Sequence, residues 1–355
     1  MNTLKTIIGI IKSRLMKKPF STKFYITRKC NLRCSMCNVW KQKDSKEMTL
    51  DEIKIAAHKL KRLGLTNVVI TGGEPTLRTD LPEIISIFSK LGISTRLQTN
   101  GMLLDEEKLD KLVESGLDDL TISLDTLDNK KQAEICGINK KDLSDTFAEK
   151  LKLSVKKMPH SMVVANLVVS HKNIDELTNL IKYTSSFGAW PTFCPVSISE
   201  DNEGIFKAKA DAFKFNQEDK IKANKIYREV IKLKKQGYKV SLSNKYLRDS
   251  LKYIKTGKKK WKCDAGEYYL VILPEGQLAI CDDITTDLNI LDSNFFERFN
   301  SKDFKKKIKE KRKNCDGCIY GIFRENSYII NHPSVLFDRF LTFLRTHYHG
   351  KSSNS

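Results

Sequence analysis

The chain has 355 residues, which exceeds the usual size of a single domain, so we expect one large domain with a smaller one beside it. Hydrophobic residues make up 40% of the sequence, enough to build a buried core, and this composition excludes a disordered chain. The formal net charge is +20, but the lysines are spread along helical stretches as on a solvated helix face, so nucleic acid is not the expected partner.

Nine cysteines indicate where the chemistry lies. An odd number with two tight clusters differs from the disulfide framework of a small secreted protein. The apolar run at residues 7–11 is too short to span a bilayer, and no small-residue cleavage site follows it. We therefore expect a cytoplasmic protein whose thiols bind metal or act in catalysis.

Residues 1–20 predict a basic amphipathic helix. Apolar residues recur at helical spacing and basic residues lie opposite them: Leu4, Ile7, Ile8, Ile11 and Leu15 against Lys5, Lys12, Arg14, Lys17 and Lys18. A helix of this type can lie on an anionic membrane, so peripheral membrane contact is one interpretation. The alternative, which we favour, is that the terminal helices pack on the main domain and cover its open sheet edges.

Short β-rich runs alternate with amphipathic helical stretches between residues 21 and 215. The predicted strands are residues 24–27, 67–71, 94–98, 119–124, 162–169 and 191–196, and the predicted helices are residues 50–63, 81–91, 106–115 and 173–186. Alternation of this type is typical of parallel β/α units, of which there are about six. The sequence therefore predicts an α/β fold with a partial (β/α)6 TIM-like barrel over residues 21–215.

The pattern changes after residue 215. Helices at residues 218–236 and 244–256 predict a helical connector over residues 216–260 that ends in a lysine-rich linker. A hairpin follows, with strands at residues 268–273 and 277–280, and it lies in a small cysteine-rich domain over residues 261–323. Residues 324–355 predict a C-terminal helix and a tail.

Three cysteines, Cys30, Cys34 and Cys37, follow the first predicted strand at spacings of four and three residues. Their thiolates can converge on one metal cluster from a single loop. Four thiolates would close a cubane cluster, whereas three leave one iron open for a substrate or cosubstrate. A structural zinc site is the alternative, but zinc prefers four ligands in paired spacing.

This CxxxCxxC arrangement resembles the signature of the radical SAM superfamily, with Met36 at the apolar position before the last cysteine. The resemblance implies a [4Fe-4S] cluster held by the three cysteines, with S-adenosylmethionine bound at the open iron. It also implies that Met36 packs near the adenine of this cosubstrate.

A Gly-Gly-Glu-Pro turn ends the second predicted strand. Gly72 and Gly73 let the backbone approach a ligand closely, and the Glu74 carboxylate can pair with an ammonium group. The turn resembles the GGEP motif of the superfamily, which implies that it binds the amino group of the methionine moiety. The resemblance also implies that Ser123 and Asp125, at the end of the fourth strand, lie near the ribose. A helix cap is the alternative role for Asp125.

Three further residues near these motifs have a structural interpretation. Asn100 ends the third predicted strand, and we expect a turn residue there rather than a ligand. Cys136 and Cys194 have no partner at metal-ligand spacing, so we expect buried thiols. Contact with the substrate is the alternative for Cys194, which lies in the sixth predicted strand. Many members of the superfamily carry an arginine where this chain has Cys136, so the resemblance does not imply here the contact that this arginine makes.

The remaining set of cysteines is Cys263, Cys281, Cys315 and Cys318. The predicted hairpin brings the first two together and the CxxC loop supplies the other two, so four thiolates can hold a closed cluster. A zinc ribbon is the alternative, because the same ligands suit tetrahedral zinc. The pattern resembles the twitch domain, the shortened form of the SPASM domain, which implies one auxiliary [4Fe-4S] cluster.

The resemblance implies an enzyme that reductively cleaves S-adenosylmethionine to a 5′-deoxyadenosyl radical, which abstracts hydrogen from an unidentified substrate. The auxiliary cluster would be a redox partner, and a flavodoxin or ferredoxin would be the reductant. The implied reaction is oxidation or bond formation on a small molecule, cofactor precursor, lipid or peptide. Peptide maturation is an alternative, although the twenty residues before the barrel leave no room for a recognition module. Two further classes stay open, a structural or electron-transfer metal protein and an RNA-modifying radical enzyme.

Overall fold

The computed structural model describes residues 2–42, 46–199, 207–209 and 213–348. Strands and helices alternate along the first half of the chain. The strands are β1 (Ser21–Tyr25), β2 (Asn67–Thr71), β3 (Ser94–Thr99), β4 (Asp119–Ser123), β5 (Val163–Val169) and β6 (Trp190–Pro195). The helices are α1 (Asn2–Met16), α2 (Leu50–Leu63), α3 (Leu81–Lys90), α4 (Glu106–Glu114), α5 (Asn129–Cys136), α6 (Leu143–Lys157) and α7 (Leu177–Ser186).

The first six strands lie side by side and parallel, in the order β1-β2-β3-β4-β5-β6. Lys23 is in register with Val69, which is in register with Arg96. Phe24 packs edge-on against Phe88 of α3, with ring centroids 5.3 Å apart. Because side chains alternate along a strand, Lys23 points to the opposite, inner face of the sheet. The predicted α/β fold with six parallel β/α units is confirmed.

Helix α2 shows how local sequence sets these elements. The Thr49 side chain accepts a hydrogen bond from the Glu52 N–H, and the Glu52 carboxylate accepts one from the Thr49 N–H, so the two residues form a capping box. Gly64, with φ 100°, ends the helix in the left-handed conformation. Apolar side chains recur every three or four residues and are buried: Ile53, Ala56, Ala57, Leu60 and Leu63. Each buried leucine contributes about 1.5–3 kcal/mol to stability.

Helices α5 and α6 lie between β4 and β5, where the sequence pattern predicts neither. Helix α5 buries only Gln132, Ile135 and Cys136, so its apolar periodicity is too weak to be detected. The cap of α5 is Asp128, whose carboxylate accepts a backbone hydrogen bond of 2.9 Å from the first turn. Asp125 does not cap this helix, so that alternative role is wrong.

The second half contains the predicted connector helices and hairpin, with one further strand in the same sheet. Its elements are β7 (Ser197–Ser199), β8 (Lys207–Lys209), α8 (Gln217–Lys235), α9 (Asn244–Thr256), β9 (Tyr269–Ile272), β10 (Gln277–Cys281), β11 (Ile284–Asn289), α10 (Phe295–Asn300), α11 (Lys302–Lys313), α12 (Gly321–Asn331) and α13 (Pro333–Tyr348). Strands β7 and β8 form a separate parallel pair.

The cysteine-rich hairpin joins the barrel sheet. Strand β9 pairs in parallel with β1, with Ser21 opposite Tyr269, and β10 and β11 follow as antiparallel neighbours. The sheet therefore has nine strands in the order β11-β10-β9-β1-β2-β3-β4-β5-β6. An unpaired edge strand exposes N–H and C=O groups, and β9 satisfies those of β1. The sequence analysis predicts that terminal helices cover the open edges of the sheet. At the β1 edge this is wrong, because strand β9 lies there instead.

Helix α1 packs near the N-terminal end of β2. Ile10 is buried, and a Cβ atom on Gly9 would lie 2.6 Å from the Thr66 side chain. Ile11 and Leu15 are exposed. The side chains of Leu4, Ile7 and Ile8, and all of residues 349–355, lie outside the described part of the chain. In the part described, no helix is both long and apolar enough to cross a bilayer.

Candidate metal and cofactor site

The two glycines after β2 bring their loop against the loop that follows β1. The Gly73 N–H donates to the Thr27 carbonyl at 2.9 Å. A Cβ atom on Gly72 would lie 2.4 Å from the Thr27 carbonyl oxygen. A Cβ atom on Gly73 would lie 2.2 Å from the Lys29 carbonyl oxygen. Both glycines are therefore required by contact with the backbone that leads into the first cysteine, in addition to any ligand they approach.

Glu74 places a carboxylate at this turn, with an exposed fraction of 0%. Its Oε1 accepts hydrogen bonds from the Thr76 N–H at 3.0 Å and the Thr99 hydroxyl at 2.6 Å. Its Oε2 accepts one from the Asn100 N–H at 2.8 Å. Burial raises the pKa of Glu74, and these hydrogen bonds act in the opposite direction. Because these donors are neutral, the ionised carboxylate keeps a net negative charge at this position.

Asn100 links this turn to the cysteine loop. Its side-chain amide donates to Asn31 Oδ1 at 2.8 Å. Its own Oδ1 accepts a hydrogen bond from the Met102 N–H at 2.9 Å, which is the local contact of an Asx turn. The prediction that Asn100 is a turn residue is confirmed. Since Asn31 directly follows Cys30, the turn also positions the loop.

The end of α5 supports the cysteine loop. The Arg33 N–H donates to the Cys136 carbonyl at 2.9 Å, and the Ser35 N–H donates to the Ile135 carbonyl at 3.0 Å. Gly137 ends the helix with φ 65°, and a Cβ atom on it would lie 2.4 Å from the Arg33 carbonyl oxygen. This contact is not predicted from the sequence, because nothing local to α5 indicates that it meets a loop about 100 residues earlier.

Two of the three sulfur atoms of the first loop, those of Cys30 and Cys37, accept backbone hydrogen bonds. The Leu32 N–H donates to Cys30 Sγ at 3.4 Å. The Val39 N–H donates to the sulfur of Cys37. In both cases the donor lies two residues after the cysteine. A donor aimed at sulfur favours the thiolate, and hydrogen bonds to sulfur are among the features that tune an iron–sulfur cluster.

The same spacing recurs in the second set. The Ala265 N–H donates to Cys263 Sγ at 3.5 Å, and the Gly317 N–H donates to Cys315 Sγ at 3.3 Å. The other two pairs are the Asp283 N–H with Cys281 and the Tyr320 N–H with Cys318. All four cysteines therefore accept a hydrogen bond from the residue two positions later. The two sets share a local geometry that suits thiolate ligands.

Cys136 and Cys194 have different partners. Cys136 is buried, as predicted, and accepts a hydrogen bond from the Gln132 side-chain amide at 3.2 Å. Cys194 is partly exposed, so the prediction of a fully buried thiol is wrong for this residue. Its sulfur still lies away from water, and this burial, followed by the negative charge of Asp125, raises the pKa of Cys194 to about 12. The neighbouring residue Phe193 packs against Tyr227 of α8 on the outer face of the sheet. Because successive side chains of a strand point to opposite faces, the Cys194 side chain lies on the inner face.

The three thiols of the first loop are close enough to interact electrostatically. Burial raises the pKa of Cys37 to about 11, and the Cys30 thiol acts in the same direction. A hydrogen bond with Cys136, followed by burial, raises the pKa of Cys34, and Cys37 adds to this shift. No three His, Cys, Asp or Glu side chains in the described ranges converge on a single ion. A four-iron cluster is wider than one ion, so its ligating sulfurs stand farther apart, and the all-thiol donor set fits such a cluster.

A buried charge network joins β1 to the second cysteine set. The Lys23 ammonium and the Tyr25 hydroxyl each contact the Asp282 carboxylate at 2.8 Å. The Lys23 and Asp282 side chains are 8% and 2% exposed. Asp282 directly follows Cys281, and the pKa of Tyr25 is raised by burial, by Asp282 and by the Cys37 thiol. This network is absent from the sequence-based predictions, although a lysine inside a buried strand is a usable signal.

The other predicted site residues lie around the same edge of the sheet. Met36 is partly exposed in the cysteine loop and packs against the core. Ser123 is the last residue of β4 and is partly exposed. Asp125 is buried, and its carboxylate accepts a hydrogen bond from the Val168 N–H at 2.7 Å. Burial raises the pKa of Asp125 to about 6. Asp125 therefore has a structural partner on β5 whether or not it also contacts a ligand.

Sequence comparison assigns a family to the region that contains this site. Residues 24–184 match the Radical SAM superfamily. A probable GTP 3′,8-cyclase of Pyrococcus horikoshii is 34% identical over 165 residues, which cover 46% of this chain and 52% of that protein. The PqqA peptide cyclase of Bradyrhizobium diazoefficiens is 30% identical over 176 residues, which cover 48% of this chain and 44% of that protein. The chain thus spans about half the length of the curated relatives it matches.

Solved structures share the fold over most of the chain. SuiB of Streptococcus suis, bound to its precursor peptide SuiA, superposes with a TM-score of 0.66 at 18% identity, covering 84% of this chain and 69% of SuiB. The anSMEcpe structure with bound AdoMet and a peptide gives a TM-score of 0.58 at 19% identity, covering 91% of this chain and 99% of that one. The family match and the cysteine loop agree: residues 24–184 of this chain are a radical SAM superfamily domain.

Proposed function

We propose that this chain is a radical SAM enzyme in which Cys30, Cys34 and Cys37 hold a [4Fe-4S] cluster with one open iron. The geometry of the loop supports this best: backbone N–H groups point at sulfur, and the loop is braced by the glycine turn and by α5. When bound, the cluster supplies the electron that cleaves S-adenosylmethionine to the 5′-deoxyadenosyl radical. The contribution of the chain is to bind, orient and shield the reacting groups.

We propose that the Glu74 carboxylate binds the ammonium group of the cosubstrate. Neutral donors hold its carboxylate in place before any ligand arrives, so a cation pairs with it at little cost in side-chain entropy. Gly72 and Gly73 set the position of Glu74 through their contacts with the preceding loop. A buried carboxylate with no cationic partner among these contacts favours a charged ligand.

We propose that Met36 packs near the adenine of the cosubstrate and that Ser123 lies near its ribose. Both side chains are partly exposed near the carboxyl ends of the parallel strands, where the sites of β/α barrels lie. Asp125 orients this edge by joining the β4 loop to β5, and any contact with the ribose is additional to that role.

We propose that Cys263, Cys281, Cys315 and Cys318 hold an auxiliary [4Fe-4S] cluster, supported by the shared N–H to sulfur spacing. Anaerobic reconstitution should then give about eight iron atoms and eight sulfides per chain, because each cubane contains four of each. A Cys281→Ser variant should retain about four. About four iron atoms in the unaltered protein, with zinc bound in addition, would instead identify the second set as a zinc site.

We infer that the substrate offers an unactivated C–H bond on a peptide or a small molecule. The relatives with matching sequence are named for reactions on both classes, a GTP cyclase and a peptide cyclase. Two neighbours in fold were solved with peptides bound. A flavodoxin or ferredoxin is the proposed reductant.

The central test is the formation of 5′-deoxyadenosine. Anaerobically reconstituted protein, dithionite and S-adenosylmethionine should release 5′-deoxyadenosine, and a Cys30→Ala variant should release none, because two thiolates cannot hold the open cluster. Chromatography with mass detection measures the product. Equal amounts from the protein and from the variant would contradict the proposed function.

A further inference from the structure

A basic cavity of about 600 Å³ lies beside the second cysteine set. It is bounded by α9, the linker at residues 257–262, Asp316 of the CxxC loop, and α12. Six lysines line it: Lys245, Lys252, Lys258, Lys259, Lys260 and Lys262. A concave space of this size is typical of sites for small molecules, whereas macromolecular partners occupy broader and flatter surfaces.

Arg324 is a buried lining residue of this cavity, and its guanidinium is bound to other parts of the protein. Arg324 is 3% exposed. Its Nε donates to the Cys318 carbonyl at 3.0 Å, and one terminal nitrogen donates to the Lys259 carbonyl at 2.8 Å. Arg324 therefore fixes the linker against the CxxC loop.

One of the two carboxylates in the lining is neutralised by the cavity wall. Asp249 accepts a hydrogen bond from the Tyr328 hydroxyl and lies 3.5 Å from the Lys245 ammonium and 3.9 Å from Arg324. Asp316, which is exposed, is the other carboxylate. The lining thus carries more positive charge than its own carboxylates balance.

The lysines at the rim form no ion pair within the described residues. They are Lys252, Lys258, Lys259, Lys260 and Lys262, and no carboxylate lies within 4.0 Å of their ammonium groups there. Ammonium groups crowded around a concave wall repel one another and create a strong positive potential. An anion with several negative oxygens relieves this repulsion.

We propose that this cavity binds a small phosphate-bearing molecule. Lysine ammonium groups act as point charges that suit phosphate, and the one guanidinium that could bind a carboxylate bidentately is committed to backbone carbonyls. Trp261 and Tyr328, also in the lining, offer an apolar wall for the rest of the ligand. The proposal is independent of cleavage of S-adenosylmethionine.

Binding at this cavity would stabilise the loop of the second cysteine set. The linker touches that loop closely, since a Cβ atom on Gly317 would lie 2.3 Å from the Lys259 carbonyl oxygen. A ligand that draws the linker lysines together therefore holds the backbone that rests on Cys315 and Cys318.

Calorimetric titration of the reconstituted full-length protein with inorganic pyrophosphate tests the proposal. The cavity variant carries Lys258→Gln, Lys260→Gln and Lys262→Gln. The control variant carries Lys305→Gln, Lys306→Gln and Lys309→Gln on the exposed face of α11, which is the same change in net charge. We expect saturable binding that weakens about tenfold or more in the cavity variant and stays within about twofold in the control, because only the cavity variant loses three ammonium groups that line the cavity.

Iron content and circular dichroism show whether both variants are folded. Absence of saturable binding at millimolar pyrophosphate would overturn the proposal, as would equal weakening in the two variants, which indicates general charge attraction. Citrate that binds as tightly as pyrophosphate would overturn the assignment to phosphate. A single-stranded RNA that displaces pyrophosphate and binds more tightly would replace the small molecule with a nucleic acid.

Discussion

Glu74 is the residue at which burial and charge are most clearly opposed. A carboxylate with no exposed surface is costly unless its oxygens are paired, and here two threonine hydroxyls and two backbone N–H groups supply neutral partners. These contacts fix the carboxylate without cancelling its charge. A cationic group on a ligand is the natural complement of such an arrangement.

Replacement of Glu74 by Gln should weaken the binding of S-adenosylmethionine by roughly ten- to hundredfold, because a hydrogen bond to a charged group contributes about 1.5–3 kcal/mol. Equilibrium dialysis of the reconstituted protein measures this affinity. The matched control is Glu83→Gln, on the exposed side of α3, which should leave it unchanged. Iron content should equal that of the unaltered protein in both. Unchanged affinity in the Glu74 variant would refute its assigned role.

At the scale of elements, the cysteine loop is a segment held from two sides. The glycine turn after β2 contacts the backbone before Cys30, and the end of α5 contacts the backbone at Arg33. The loop itself has little regular structure, so these tertiary contacts, rather than local propensity, determine where its thiols lie. Disturbing either support should therefore affect cluster assembly.

Gly73→Ala should impair the first cluster selectively. The new Cβ atom would meet the Lys29 and Arg28 carbonyl oxygens at 2.2 and 2.7 Å, so the loop must shift, at a cost of about 1–3 kcal/mol. Iron should fall from about eight to about four atoms per chain. Gly321→Ala is the control, because its Cβ atom meets only ordinary contacts, the nearest at 3.4 Å. Full iron content in the Gly73 variant would show that the loop tolerates the shift.

At the scale of the whole molecule, the two cysteine sets are attached to one continuous sheet. The hairpin that carries Cys281 pairs with β1, the strand that leads into the first loop. The Lys23–Asp282 pair adds a buried ionic contact between the same two regions. The position of one set relative to the other is therefore set by backbone pairing and by a charge contact that is excluded from water.

Asp282→Asn should destabilise the protein by about 3–5 kcal/mol, because it leaves the Lys23 ammonium buried without its counter-ion. The double variant Lys23→Met, Asp282→Asn should lose less than the sum of the two single losses, since the unpaired charge is gone. Urea unfolding of the three variants measures the coupling. Strict additivity would mean that the pair contributes no interaction energy.

Much of the candidate site can be predicted from local sequence. The spacing of Cys30, Cys34 and Cys37, the Gly72–Gly73–Glu74 turn and the alternation of strands and helices are all short-range patterns, and the family match and the fold agree with them. Their chemistry is contained in residue type and spacing. The assignment of each residue to a ligand stays a prediction.

The sequence by itself indicated the resemblance of residues 24–184 to the radical SAM superfamily, the parallel β/α order and the candidate ligands, because periodicity and motif spacing are local properties of the chain. Only the tertiary structure decided that β9 completes the edge of β1, that α5 braces the cysteine loop and that Asp282 meets Lys23 from 259 positions away. Contacts of this kind depend on the path of the chain and on strand register, which leave no short-range pattern in the sequence. The same reason explains why the lysine-rich linker is a plain connector in the sequence and part of a basic cavity in the fold.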